Sequence, residues 1–151
     1  FTAEEAWQVV GNSESIFMET YANFDAPDEA LLAKWSRIRE IRDMANKEIE
    51  TLRAAGTVGS SLQTNLTLEV GAEDHAMLSS LGADLKFVFI TSAIKLIASE
   101  AINTPATASN DIKCERCWHY SPDVGSDTAR PTICGRCSSN LYGAGEIRTV
   151  A

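Results

Sequence analysis

The sequence predicts a multidomain fold with a mainly α-helical N-terminal part, a small α+β junction unit and a C-terminal ribbon organised by four cysteines. Apolar residues recur at helical period between positions 31 and 52, and apolar and polar residues alternate over positions 66–70. All four cysteines lie in the last third of the chain, as two C-x-x-C pairs. We therefore expect the helical part at 1–58, the junction unit with its linker at 59–108, and the ribbon at 109–151.

The bulk composition narrows the class of protein. Of the 151 residues, 44% are hydrophobic and 23% are charged, which is typical of a folded domain and not of a disordered tail. The longest strongly apolar run, Phe87–Ile90, is far too short to cross a bilayer, so no membrane span is expected. The net charge is −8, and residues 1–110 hold sixteen acidic against eight basic side chains. This balance disfavours indiscriminate nucleic-acid binding but permits a local, shape-specific contact.

The first residues predict a short capped helix. Thr2-Ala3-Glu4-Glu5 has the pattern of a capping box, which predicts a helix at about residues 2–10 that stops at Gly11. Residues 12–26 are expected to form a loop. A helix that starts directly after Phe1, with no secretory signal pattern before it, indicates the tail of a longer, cytoplasmic protein.

A long helix is the strongest local signal. Pro27, Asp28 and Glu29 favour a helix start, and Gly56 closes a segment of about 28 residues. Its expected buried face consists of Leu31, Ile38, Ile41, Ala45, Ile49 and Leu52. One flank of that face carries Trp35, Arg39, Arg42, Asn46 and Arg53. These arginines either pair with neighbouring acids on a solvated face, or present planar forks to a phosphate backbone or another domain.

The middle of the chain predicts the α+β junction unit. Leu66–Val70 is a strand pattern that ends at Gly71, and Glu73–Leu81 favours a short helix. Leu85–Ile97 is expected to begin as a helix and to continue as a strand from Ser92. Residues 100–111 are small and polar with one proline, which predicts a linker.

The cysteine spacing predicts a structural metal site. Cys114 and Cys117 are followed after sixteen residues by Cys134 and Cys137, and two such knuckles supply the four thiolates of a tetrahedral zinc site with no open position. The alternatives are two disulfides, a redox-active pair, and iron in the same four-sulfur cage. Zinc is favoured, because nothing else in this polar segment would offset its chain entropy, whereas a structural zinc contributes on the order of 10 kcal/mol.

The aromatic run after the first knuckle has two interpretations. Trp118 either covers the metal and forms a small core with Val124, Ile133 and Leu141, or the region reads unpaired bases by stacking and by arginine forks. The candidates for such RNA contacts are Arg116, Trp118, His119, Tyr120, Arg136, Tyr142 and Arg148, together with Arg39 and Arg42 of the long helix. Phosphate-binding glycine loops and H-E-x-x-H are absent from the sequence, and no catalytic residue is expected in this chain.

Several stretches carry a family resemblance. They are "FTAEEAW" at 1–7, "IREIRDMANKEIETLRAAGTVGSSLQ" at 38–63, "KCERCWHY" at 113–120, "ICGRC" at 133–137 and "NLYGAGEIR" at 140–148. Together they resemble the C-terminal region of bacterial isoleucyl-tRNA synthetases, over nearly the whole chain. A related zinc module occurs in DNA glycosylases of the formamidopyrimidine type.

The resemblance implies a larger, monomeric enzyme that uses ATP to join isoleucine to its tRNA. It implies that this region ends an anticodon-binding helical bundle, contacts the anticodon arm of tRNA(Ile), and adjoins the catalytic and editing domains of the same polypeptide. It also implies one structural zinc on Cys114, Cys117, Cys134 and Cys137. The family's "HIGH" and "KMSKS" adenylation signatures do not occur in this sequence.

Overall fold

A computed structural model describes residues 1–146, and the expected RNA contact Arg148 lies outside them. The α-helices in this range are α1 (Thr2–Val10), α2 (Glu29–Ala54), α3 (Ala72–Ser79), α4 (Leu85–Phe89) and α5 (Gly135–Tyr142). The strands are β1 (Thr64–Val70), β2 (Ala93–Ala98), β3 (Ala106–Ala108), β4 (Ile112–Lys113) and β5 (Tyr120–Ser121). No helix within the described range is long and apolar enough to cross a membrane.

The chain divides into two compact units between Leu32 and Ala33. The N-terminal unit contains α1, which ends before Gly11 as expected, and a short 3-10 turn at Ile16–Met18. The predicted capping box is wrong, since Phe1 is the N-cap residue, makes no side-chain cap, and leaves Thr2 inside the first turn. Several large apolar side chains of this unit are exposed, namely Val9, Val10, Phe17, Met18, Tyr21 and Phe24.

The second unit is built on the buried face of α2. The helix starts at Glu29 as predicted, where Asp28 Oδ1 accepts a hydrogen bond from the amide of Leu31 at 3.0 Å. The expected buried face is confirmed for Ile38, Ile41, Ala45 and Ile49, whereas Leu31 is 49% exposed. One core joins the first three of these side chains to residues of β1, α3, α4 and the segment between the two helices: Leu66, Leu68, Val70, Leu78, Leu81, Leu85 and Phe89. This core crosses the expected boundary at residue 58, because the apolar stripe of α2 is covered by the sheet.

The sheet has the strand order β2-β1-β3. β1 and β2 run parallel with Leu66 opposite Ile94, and β1 and β3 run antiparallel with Leu66 opposite Ala106. Alternate residues of β1 are buried, as the sequence alternation predicted. The expected linker at 100–111 is wrong in part, since it contains β3 and a bridge from Asn103 to Glu69. This three-residue edge strand of alanine and threonine is too short to give a periodic signal.

The helix-then-strand prediction for residues 85–97 is confirmed by α4 and β2. Between them Ile90 adopts a left-handed conformation with a φ of 55°. The amide of Thr91 donates a hydrogen bond to the carbonyl of Lys86 at 3.0 Å, which closes the end of the helix. This tight turn places α4 and the start of β2 side by side, at the surface that the cysteine segment contacts.

Candidate metal centre

The first knuckle is closed by backbone hydrogen bonds around Cys114. β4 and β5 pair antiparallel, with Lys113 opposite Tyr120. The amide of Cys114 donates to the carbonyl of His119 at 2.8 Å, and the amide of Trp118 donates back to the carbonyl of Cys114 at 2.9 Å. Trp118 has a φ of 65°, in the left-handed region. The chain therefore reverses within five residues and leaves Cys114 and Cys117 on one side of the turn.

The second knuckle is the start of α5. Cys134 is the N-cap residue of this helix and Cys137 lies in its first turn, so the start of α5 carries both sulfur atoms of this knuckle. Gly135 donates its amide to Asp123 Oδ2 at 3.0 Å, and a Cβ on Gly135 would lie 2.8 Å from that oxygen. A side chain at position 135 would therefore require the Asp123 carboxylate to move.

The two knuckles bring all four sulfur atoms together. The Sγ atoms of Cys114, Cys117, Cys134 and Cys137 lie within 4.8 Å of one another, and none of the four is in a disulfide. The Sγ atoms of Cys117 and Cys134 are 3.8 Å apart, which is far beyond a disulfide bond. It equals the edge of about 3.8 Å that a zinc tetrahedron with bonds of about 2.3 Å requires. Cys117 is half-buried and the other three cysteines are buried.

Two of the sulfur atoms have hydrogen-bond donors close to them. The amide of Cys134 donates to Cys114 Sγ at 3.3 Å, and Arg116 Nη1 lies 3.7 Å from Cys137 Sγ. Burial raises the pKa of Cys114, but the backbone amides of Cys117, Cys134 and Arg116 outweigh it and lower the pKa to about 6. Burial and the neighbouring thiols raise the pKa of Cys134 to about 12. One thiolate therefore forms readily, and the full set needs a divalent cation to compensate its charge.

Of the two interpretations of Trp118, the one in which it covers the metal and forms a small core is wrong. The cysteine cluster packs with Val124 and Ile133, as expected, but Trp118 is 61% exposed and Leu141 is exposed as well. The Trp118 ring lies at the reversal of the chain, with Lys113 Nζ 5.5 Å from its centroid. An indole that does not serve the core is available to other molecules.

His119 and Arg136, both expected RNA contacts, are engaged inside the protein. His119 packs edge-on against Phe87 of α4 with ring centroids 5.3 Å apart, and its Nδ1 lies 3.2 Å from the carbonyl of Cys117. Burial lowers the pKa of His119, as do the nearby charges of Lys86 and Arg136. Arg136 lies over the ring of the same Phe87, with its guanidinium carbon 4.7 Å from the ring centroid. Contact of either residue with RNA stays a prediction.

The remaining RNA candidates lie in the cysteine segment and on α2. Tyr142 is 62% exposed, and Arg130, which sequence reasoning did not single out, stacks over its ring at 3.7 Å. Arg116 is exposed beside the metal cluster, and Tyr120 is half-buried in β5. On α2, Arg39 is exposed with Nη2 3.1 Å from Ser36 Oγ, and Arg42 is half-buried. The structure brings Arg116, Trp118 and Arg136 together around the cysteines.

The helices and strands from α2 to β3 form what we call the α+β part. Two of its residues were missed by the sequence analysis and contact the cysteine segment. Phe87 looked like one residue of an apolar run, yet it faces His119 and Arg136. Ser92 looked like a strand start, yet its Oγ accepts a hydrogen bond from the amide of Tyr120 at 2.6 Å. Neither contact has a local signal, because both partners lie more than twenty residues away in the sequence.

Comparison with known proteins matches this arrangement. A family profile described as "Zinc finger found in FPG and IleRS" matches residues 111–140, the segment that holds all four cysteines. Isoleucine–tRNA ligases from Ralstonia pickettii, Bordetella parapertussis and Paraburkholderia phytofirmans are 49%, 48% and 49% identical to the chain, over 100% of its residues. The chain spans 17% of the length of each of these relatives. The resemblance found in the sequence is confirmed, and the four-cysteine cluster is one that holds a structural zinc.

Proposed function

We propose that this chain, which is similar to isoleucine–tRNA ligases over its whole length, is the C-terminal tRNA-binding region of such an enzyme. It contacts the anticodon arm of tRNA(Ile), while catalytic and editing domains outside this chain carry out the ATP-dependent joining of isoleucine to the tRNA. The observation that carries the proposal is the overall identity of 49% to an isoleucine–tRNA ligase, in an alignment that covers the whole chain. The parent protein is a monomeric, cytoplasmic class I synthetase in this proposal.

Each part of the chain has a role in this proposal. Residues 1–58 end the helical anticodon-binding domain, residues 59–108 form the junction, and residues 109–151 form the zinc ribbon. Cys114, Cys117, Cys134 and Cys137 are the four ligands, and the zinc supplies a rigid cross-link between the two knuckles with no position for substrate. No residue of the chain acts on the reacting groups.

The exposed aromatic rings of the ribbon are the proposed points of RNA contact. Trp118 presents an uncovered indole with a lysine beside it, and Tyr142 presents a phenol with Arg130 over one face. Such rings stack on unpaired bases, which an anticodon loop offers. Because the arginine forks of Arg130 and Arg136 are already paired with Asp127 and Glu146, stacking contributes more than phosphate contact.

Removing the Trp118 ring tests this proposal. Trp118→Ala is expected to weaken binding of the tRNA(Ile) anticodon stem-loop about tenfold, since a lost base–aromatic stack costs about 1–3 kcal/mol. The measurement is a fluorescence-anisotropy titration of labelled RNA at fixed salt, together with zinc content. Phe24→Ala serves as the control, because Phe24 is an exposed aromatic of the N-terminal unit, at 91% against 61% for Trp118. Equal affinities of wild type and Trp118→Ala would count against the proposal.

A second candidate function is a zinc-stabilised protein-interaction module that caps a larger enzyme. It is favoured by the exposed apolar side chains of residues 1–32, among them Phe17, Met18 and Phe24, since such clusters are typical of protein contacts. The same pair of variants separates the two functions. Loss of association with the catalytic part in Phe24→Ala, with no RNA effect in Trp118→Ala, would favour the interaction module.

A further inference from the structure

The zinc ribbon contacts the α+β part through the ring of Phe87. Its neighbours on α4, Leu85, Val88 and Phe89, pack in the main core, whereas Phe87 faces the ribbon. His119 meets this ring edge-on, with centroids 5.3 Å apart and planes at 78°. Arg136 lies over the ring, with its guanidinium carbon 4.7 Å from the centroid. One side chain of the α+β part is thus held by two side chains of the ribbon.

The two ribbon residues come from different knuckles. His119 follows the ligand Cys117 by two residues, and Arg136 directly precedes the ligand Cys137. Their separation around Phe87 is therefore set by the geometry that joins the two knuckles. A zinc ion bound to all four sulfur atoms fixes this separation. The contact at Phe87 consequently depends on both halves of the metal centre.

The guanidinium group of Arg136 is also held by Glu146. Its Nε and Nη2 donate to the two carboxylate oxygens of Glu146 at 2.7 and 2.8 Å. The hydrogen bonds to Glu146 raise the pKa of Arg136, so the group remains cationic. A guanidinium held flat by a bidentate carboxylate and placed over an aromatic ring is a favourable and directional contact.

A hydrogen bond beside Phe87 fixes the rotation of the ribbon. Ser92 is buried at the start of β2, and its Oγ accepts from the amide of Tyr120 at 2.6 Å. The same hydroxyl donates to the carbonyl of Leu62 at 2.5 Å. Tyr120 belongs to β5, the strand that leaves the first knuckle. The ribbon is therefore attached at an aromatic centre and at one backbone amide, which together define a single orientation.

We propose that Phe87 is a positioning residue for RNA binding: it sets the orientation of the zinc ribbon on the α+β part and thereby presents Trp118 and Tyr142 in one arrangement. This inference rests on the proposed function for its RNA readout. Phe87 acts through His119 and Arg136 and does not itself touch the RNA. A ribbon freed from Phe87 keeps its zinc and its fold but samples several orientations, and only a fraction of them matches the anticodon arm.

The test compares Phe87→Leu with Phe87→Tyr in the zinc-loaded 151-residue chain. Leucine keeps an apolar side chain but removes the ring, whereas tyrosine retains the ring for His119 and Arg136. Phe87→Leu is expected to keep one zinc per chain and to weaken binding of the anticodon stem-loop about tenfold, as when one orientation in ten is competent. Phe87→Tyr is expected to restore the affinity. Val88→Ala, on the same helix but packed in the core, is the matched control for lost stability.

A spectroscopic readout separates this inference from the proposed function. The ring current of Phe87 shifts the His119 proton signals, and His75, the other of the two histidines, is an internal reference. Phe87→Leu is expected to abolish the shift and to let the amides of residues 114–142 tumble faster than the core. If wild-type chain binds no RNA, the proposed function fails, and these signals still decide the orientation.

Two results would overturn the inference. One is a Phe87→Leu chain whose ribbon tumbles with the core. The other is a Phe87→Leu chain that binds RNA with wild-type affinity, while Trp118→Ala loses RNA affinity. Should Phe87→Leu fail to fold, Ser92→Ala removes the acceptor of the Tyr120 amide and replaces it in the same measurements. Faster tumbling of the ribbon in that variant supports the attachment, and unchanged tumbling contradicts it.

Discussion

At the scale of single residues, two non-glycine residues within positions 1–146 have a left-handed backbone conformation. Ile90 has a φ of 55° where α4 turns into β2, and Trp118 has a φ of 65° where the first knuckle reverses. Such a conformation costs roughly 1–2 kcal/mol for an L-residue. Both positions lie next to a contact that joins the ribbon to the α+β part, Ile90 close to Phe87 and Trp118 beside His119. The backbone is therefore strained at the two turns that bring these contacts together.

The strain at Ile90 is measurable as a difference between two truncations. We expect Ile90→Gly to be more stable than Ile90→Ala by about 1 kcal/mol, because glycine adopts a positive φ without steric cost. Both variants lose the same partly exposed side chain, so its burial cancels in the comparison. Urea unfolding followed by circular dichroism gives the two free energies of unfolding.

The order is expected to reverse at Val88, which lies inside the regular helix α4. There Val88→Ala should be more stable than Val88→Gly, because glycine in a helix costs about 1 kcal/mol relative to alanine. Ile90→Ala proving as stable as Ile90→Gly would mean that the left-handed turn relaxes in solution.

At the scale of elements, we expect the ribbon to depend on the metal for its fold, and the α+β part to fold without it. Besides the cysteines, Val124 and Ile133 are the apolar side chains packed in the ribbon cluster, whereas α2, β1, α3 and α4 share a core of ten buried side chains. A structural zinc contributes on the order of 10 kcal/mol to folding. The two parts therefore respond differently to loss of the ion.

Zinc removal is expected to unfold residues 112–146 and to leave the core around Ile41 and Leu68 folded. A chelator titration followed by amide NMR spectra measures this, with loss of dispersion confined to the ribbon and recovery when zinc is added back. Resonances of Phe87 and Ser92 should shift as well, since both contact the ribbon. Native dispersion of the ribbon amides after the metal has been stripped would contradict the prediction.

What the sequence could predict depended on how local the signal was. The helix from Glu29, the alternation in β1 and the Cys-x-x-Cys pairs are carried by neighbouring residues, and each of them is confirmed. β3 was predicted as a linker, because its pairing with β1 is fixed by residues some forty positions away. The sequence left open whether Trp118 is covered or exposed, because composition shows which apolar residues exist and not which way the chain turns. The contact of Phe87 with both knuckles needed the tertiary structure.

At the scale of the whole molecule, four of the seven arginines that the structure describes in the second unit are paired with carboxylates. Arg37 pairs with Asp74, Arg53 with Glu50, Arg130 with Asp127 and Arg136 with Glu146. The chain carries a net charge of −8. Near the exposed indole of Trp118, the described cationic side chains without a carboxylate partner are Lys113, which lies beside the ring, and Arg116, which lies beside the metal cluster. A long-range attraction for polyanions is not available to this surface, and contact must come from short-range stacking.

This charge distribution predicts a shallow salt dependence of RNA binding. If Lys113 and Arg116 are the phosphate contacts, a plot of log affinity against log salt should have a slope of about −1.4, since each contact to single-stranded RNA contributes about −0.7. Trp118→Ala should lower the affinity at every salt concentration with no change of slope, because stacking releases no counterions. Lys113→Gln should instead change the slope and make it shallower by about 0.7, because it removes one phosphate contact. A wild-type slope steeper than about −4 would require some six phosphate contacts, and it would assign the binding to the arginines of α2 instead of the aromatic rings of the ribbon.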